Sequence, residues 1–173
     1  MPGSGKSTIV SALKTKGFEA LNLGDGVRAE AKRRNLAPTG DNLGKIMYEL
    51  REKNGPGAIA ALLTEPIKSS QSKVIIIDGV RSIAEIEVLK NVGTVRLLSI
   101  EATADTRYKF LSSRGRSDDP TTREKFEERD NRELGVGIGE SISIADETIS
   151  NSGITLDELT ELAYKVIEKW TDT

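Results

Sequence analysis

Gly5, Lys6 and Ser7 are the residues whose order most directly implies chemistry. They complete the second half of G-x-x-x-x-G-K-[ST], a loop whose backbone N–H groups and lysine cradle phosphates. Glycines let such a loop fold tightly and aim its amides at phosphate oxygens, and the helix behind it adds a positive terminus. On this reading Pro2, Gly3, Ser4, Gly5, Lys6, Ser7 and Thr8 hold a nucleotide. Lys6 reaches the outer phosphates and Ser7 holds Mg²⁺. Downstream, VIIIDG puts Asp78 at the end of an apolar run. A carboxylate at the carboxyl end of a buried strand is placed to share that metal with Ser7.

Arginine is the other chemical resource. Phosphoryl transfer asks little covalent work of a protein; it needs positioning and neutralisation of charge. Arg suits this because it stays charged and binds phosphate through two parallel hydrogen bonds. Arg28, Arg51, Arg81, Arg116, Arg129 and Arg132 are the candidates, whereas Arg33, Arg34 and Arg123 lie in charged helical runs that read as solvated surface. Asp25 divides two reactions. A phosphate acceptor needs no base, and Asp25 then positions the helix or the nucleotide; a hydroxyl acceptor needs a carboxylate to take its proton. Asp25 as a helix N-cap fits either.

Composition narrows the field. The 173 residues carry no cysteine and no histidine, which excludes disulfides, thiolate metal sites and every histidine-based nucleophile system. A net charge of −2 gives no global field toward nucleic acid or anionic lipid. No apolar run is long enough to span a membrane, and no signal peptide is visible, so the expected setting is cytoplasmic.

The elements that must carry these residues alternate. Helices are expected over 5–16, from Gly24, over 39–53, 57–68, after Ser82, over 104–113 and 121–134, and after Thr155. Leu159, Leu162, Val166 and Trp170 form the expected core face of the last one. Strands are expected at 18–23, 74–78, 94–102 and 147–150, with 74–78 apolar on both faces and therefore parallel and central. LGVGIGE (134–140) reads as a flexible turn. The alternation implies one α/β domain over 1–173, a parallel sheet with helices on both faces.

PGSGKST, GDGVR, DGVR and GRSDD, in that order, resemble the adenylate kinase-like nucleoside monophosphate kinases. With LREKNGPGA and GIGE added, the chain is most similar to an archaeal group of P-loop proteins related to adenylate kinase, whose motifs do not name an acceptor. The resemblance implies a P-loop nucleoside triphosphate hydrolase fold of the nucleoside monophosphate kinase type. It also implies a helical acceptor-binding insertion at about 25–70 and a short lid at about 114–134. Arg28 and Arg81, with Arg51, would bind the acceptor, and the lid arginines Arg116 and Arg129 would act in catalysis with Lys6. DGVR lacks the family's proline and is one residue shorter. A D-x-x-R after the second strand is also similar to dephospho-CoA kinase, in which Asp25 would be the base. NSG (151–153) falls where related kinases hold adenine. The implied function is ATP- and Mg²⁺-dependent transfer to a phosphorylated, nucleotide-like acceptor, with an ATP-driven switch acting on a macromolecular partner as the alternative. The fold type also has a strand before its phosphate loop, central between 74–78 and 94–102; this sequence shows none, so Met1 is expected to be an internal methionine.

Overall fold

The computed structural model describes residues 1–171. The elements in chain order are α1 (Lys6–Thr15), β1 (Glu19–Asn22), α2 (Leu23–Arg33), α3 (Gly40–Asn54), α4 (Ala58–Ala61), α5 (Thr64–Ser69) and β2 (Ile75–Asp78). There follow α6 (Ile83–Lys90), β3 (Leu98–Glu101), α7 (Ala104–Arg114), α8 (Arg123–Val136), α9 (Ile138–Ser143), β4 (Glu147–Ser150) and α10 (Leu156–Thr171). Among them no helix is long and apolar enough to cross a membrane.

β1 pairs with β2 and β3 with β4, both in parallel. The expected single sheet is thus two parallel pairs among the described residues, with no ladder between β2 and β3. Side-chain alternation along β2 feeds two cores. Ile76 packs with Ile9 and Leu13 of α1, Ile100 and Ile149 of the other pair, and Leu159, Ala163 and Ile167 of α10. Ile77 points the other way, with Leu21, into the cluster built by Leu23, Val27, Leu43, Ile46 and Ile59. Helices therefore flank both faces, as the alternation predicts. β2 itself is only half-buried up to Asp78, which is less enclosed than four consecutive apolar residues suggest.

Local signals explain most boundaries. Gly17, at φ +96°, ends α1, and Phe18 N–H closes the turn on Leu13. Thr155 and Glu158 cap α10 reciprocally: Glu158 accepts from Thr155 N–H at 2.7 Å and Thr155 Oγ1 from Glu158 N–H at 3.2 Å.

Several expectations are corrected. The helix expected over 57–68 is two short pieces, α4 and α5. The strand expected over 94–102 is only Leu98–Glu101, because Asp146 instead takes Leu97 N–H at 2.7 Å. Residues 138–143 are helix α9, separated from α8 by Gly137 at φ +107°, rather than a flexible turn. In α10 the buried stripe is Leu159, Ala163 and Ile167, and Leu162 is 44% exposed. The i, i+4, i+8 row faces α1 and the sheet, and Leu162 falls on its edge.

Candidate functional site

The phosphate-loop residues lie where the carboxyl ends of β1 and β2 meet the start of α1. Gly3 and Gly5 have φ of +80° and +102°, which only glycine adopts freely. A Cβ on Gly3 would lie 2.6 Å from the Arg107 carbonyl, and one on Gly5 2.7 Å from Asn151 Nδ2. The loop is braced from outside: Asn151 Nδ2 donates to Ser4 O at 3.0 Å and Arg107 Nη1 to Pro2 O at 3.1 Å, with Asp130 holding the Arg107 guanidinium through both oxygens. No side chain caps α1, so its positive terminus stays open to an anion.

Lys6 Nζ donates to Met1 O at 2.7 Å and to Ser4 Oγ at 3.3 Å. Burial strips water from its ammonium and pulls its pKa below the ordinary lysine value, against the opposing pull of Asp78. Beside it, Ser7 Oγ donates to Asp78 Oδ2 at 3.1 Å. The same oxygen accepts from Asn22 Nδ2 at 2.9 Å. The β1–β2 register sets Asn22 opposite Asp78. Sequence reasoning missed Asn22, although an Asn immediately before Leu-Gly-Asp at a helix start is an N-cap signal. It is the N-cap of α2, accepting from Gly24 N–H at 2.7 Å, and this corrects the assignment of that cap to Asp25.

Two cavities open here, of about 520 and 510 Å³. The first is lined by the phosphate loop, Arg81, Arg129, Arg114 and Asn151, with Phe110, Ile154 and Leu156 among its apolar lining. The second is lined by Val10, Ser11 and Lys14 of α1, Asp25, Gly26 and Leu63. Ser7, Asn22, Arg28, Asp78 and Arg116 line both, so the Ser7–Asp78 pair stands at their junction.

The arginines divide. Arg28 pairs with Asp25 at 3.1 Å and approaches Asp118 Oδ2 at 3.7 Å. Arg129 takes the Asp118 carbonyl at 2.9 Å and its carboxylate at 3.2 Å. Asp118 thus links α2 to α8, and Ser117 Oγ, donating to Pro38 O at 3.1 Å, brings the 115–122 loop against the segment before α3. Asp119 is tied to Arg114 and accepts Arg116 N–H at 2.8 Å. Burial would raise the Asp119 pKa, but Arg114 and that N–H outweigh it and hold it low. The Arg116 guanidinium is exposed and makes no ion pair among the described residues.

Arg81 lines the first cavity and donates from Nε to Glu133 at 2.5 Å and from Nη1 to Gly79 O at 2.9 Å. Burial works against its charge, but Glu133 and Glu85 more than compensate. Arg51 lines neither cavity; its Nη2 donates to Glu85 at 2.7 Å, and Glu85 is 0% exposed. Arg51, expected beside the acceptor, instead neutralises a buried carboxylate outside both cavities, one that also takes Arg81 N–H at 2.7 Å. Arg132 likewise lines neither cavity and packs over Gly44. Asp25 lines the second cavity, with its side chain 74% exposed. Arg33 and Arg34 bind Glu30, and Arg123 binds Asp105, as their charged runs predict.

A glycine loop braced at an open helix terminus, a half-buried lysine, and a Ser–Asp pair joining the loop to the end of a parallel strand define a P-loop nucleotide-binding domain. Residues 1–127 match the family described as AAA domain. The chain belongs to that family, and it belongs with the archaeal UPF0200 proteins. It is 37% identical over 171 residues to the UPF0200 protein of Hyperthermus butylicus, covering 99% of this chain and 91% of the relative. It is 41% identical to that of Methanothrix thermoacetophila, covering 98% and 93%, and 38% identical to UPF0200 protein TK1334 of Thermococcus kodakarensis, covering 98% and 96%. In fold it is similar to the crystal structure of TT1252 from Thermus thermophilus, with TM-score 0.59, 18% identity, and coverage of 96% and 93%.

Proposed function

We propose that the protein transfers the γ-phosphoryl group of ATP, with Mg²⁺, to a phosphorylated, nucleotide-like acceptor. The observation that carries this reading is the meeting of two cavities at Ser7 and Asp78, with Arg28 and Arg116 reaching both. A hydrolase needs one such cavity; a transferase needs two that share the reacting phosphate.

The phosphate loop, Lys6 and the α1 terminus bind the triphosphate in the first cavity, with the base toward Phe110, Ile154 and Leu156. Arg28 orients the acceptor phosphate from the second. Arg116, Arg81 and Arg129 neutralise charge as the phosphoryl group passes between the two. Asp25 is mostly exposed and bound to Arg28, which supports a positioning role better than that of a base for a hydroxyl acceptor.

The donor set at the junction suits the metal. A hydroxyl and a carboxylate are hard oxygen ligands, and no group of three His, Cys, Asp or Glu side chains exists among the described residues. Mg²⁺ is a cation that completes its shell with phosphates and water rather than a protein cage. Ser7 and Asp78 would hold it, and it would supply neutralisation of the outer phosphates.

The test is ATP consumption by the purified protein against nucleoside monophosphates and dephospho-CoA. Acceleration by a monophosphate supports the reading. Acceleration by dephospho-CoA alone points to a hydroxyl acceptor with Asp25 as base, and acceleration only by a protein or RNA partner points to an ATP-driven switch.

A further inference from the structure

Asn22 is placed at the junction of the two cavities by a strand register, not by the phosphate loop. Both ends of its amide are committed. Oδ1 accepts Gly24 N–H at 2.7 Å, which fixes the amide orientation, because an N–H partner requires the oxygen there. Nδ2 therefore faces Asp78 and donates to Oδ2 at 2.9 Å. Ser7 Oγ donates to that same oxygen at 3.1 Å. Two donors on Oδ2 leave Oδ1 as the oxygen with no protein donor among the described residues, so the amide decides which face of the buried carboxylate is offered to a cation. The same side chain starts α2, the helix carrying Asp25 and Arg28. One rigid amide thus connects the metal-side carboxylate to the acceptor-side helix.

We infer that Asn22 is a positioning residue: it orients Asp78 toward the nucleotide-bound cation and ties that orientation to the start of α2. This rests on the proposed Mg²⁺-nucleotide reading of the Ser7–Asp78 pair. Groups that orient a ligating carboxylate change metal affinity when removed, typically by about 10–100-fold. Asp is an N-cap as good as Asn, so Asn22→Asp keeps α2 started while exchanging the donor on Asp78 for a second anion. Asn22→Ala removes both bonds.

The experiment measures ATP affinity by calorimetry on the full chain, with Mg²⁺ and with EDTA, for the wild type and both variants, with thermal melting beside it. The expected wild type binds ATP more tightly with Mg²⁺. In Asn22→Ala that Mg²⁺ enhancement falls about tenfold. In Asn22→Asp the extra carboxylate weakens ATP in EDTA by repulsion, and the Mg²⁺ enhancement grows beyond the wild type's. A residue that merely supported the fold would lower the melting temperature in both variants and leave the enhancement ratio unchanged. Equal ratios in all three proteins overturn the inference. A wild type whose ATP affinity ignores Mg²⁺ overturns the metal reading beneath it, and is told apart by needing no variant.

Discussion

Ser7 Oγ lies 3.1 Å from Asp78 Oδ2, a contact between residues 71 apart in sequence that joins the phosphate loop to the end of β2. If the two act on one cation, their losses should not add. Ser7→Ala and Asp78→Asn are each expected to lower kcat by about 10–100-fold, and the double variant by little more than the worse single one, as for residues that act as a unit. A double-mutant cycle on kcat checks this; additive losses would separate the two roles.

Asp118 occupies Arg28 and Arg129, two cations that the proposed transfer assigns to phosphates. Asp118→Asn removes that competing anion while keeping the carbonyl contact to Arg129. The variant should melt lower than the wild type, by an amount equivalent to about 1–3 kcal/mol for the lost charged partner. Inorganic phosphate should then raise its melting temperature more than it raises the wild type's. Thermal melts with and without phosphate measure both effects.

Glu85 is fully buried between Arg51 and the Arg81 N–H. Glu85→Ala strands the Arg51 charge and should cost about 3–5 kcal/mol, read from urea unfolding. Arg51→Ala should likewise lower stability and leave the KM for the acceptor unchanged, since Arg51 lines neither cavity.

Lys6 gives a pH dependence of two signs. Burial lowers its pKa below 10.5 in the folded protein. Between the lowered folded value and the unfolded value the unfolded chain binds the extra proton, so rising pH stabilises the ligand-free fold over that window. Phosphate binding needs the charged ammonium, so nucleotide affinity is full below the folded pKa and falls as pH rises through it. Titrating ATP from neutral to alkaline pH should show affinity falling at a lower pH than a solvated lysine would give, while unfolding free energy, corrected for other groups with Lys6→Met, rises.

The exposed Arg116 guanidinium reaches both cavities without an ion pair among the described residues, so its removal costs the fold little. Arg116→Ala should keep the wild-type melting temperature and lose about 10³-fold or more in kcat, the scale of a charge-stabilising arginine in phosphoryl transfer. Parallel melting and turnover measurements separate the two.

The sequence made the phosphate loop, Asp78 and most of the elements readable, because their signals are local: glycine spacing, an apolar run, capping residues. It misplaced what depends on distant partners. Arg51 looks like any other arginine near a kinase motif, and only the burial of Glu85, 34 residues away, reassigns it. Asn22 draws its role from a strand register with Asp78 that no local pattern encodes. Arg107 was invisible for the same reason: its carboxylate partner Asp130 and its target Pro2 O lie on separate segments. Leu162 was misassigned because a Leu on an amphipathic helix looks like core from spacing alone, whereas the face that α10 buries is chosen by α1 and β4.

The central claim is transfer rather than hydrolysis, and the destination of the label tests it most directly. The full-length protein is incubated with γ-³²P-ATP, Mg²⁺ and the monophosphate that best accelerates ATP consumption, and the products are separated. Transfer across the Ser7–Asp78 junction predicts label on the acceptor as a new anhydride. Label found only in inorganic phosphate, at a rate indifferent to every acceptor, would contradict the account.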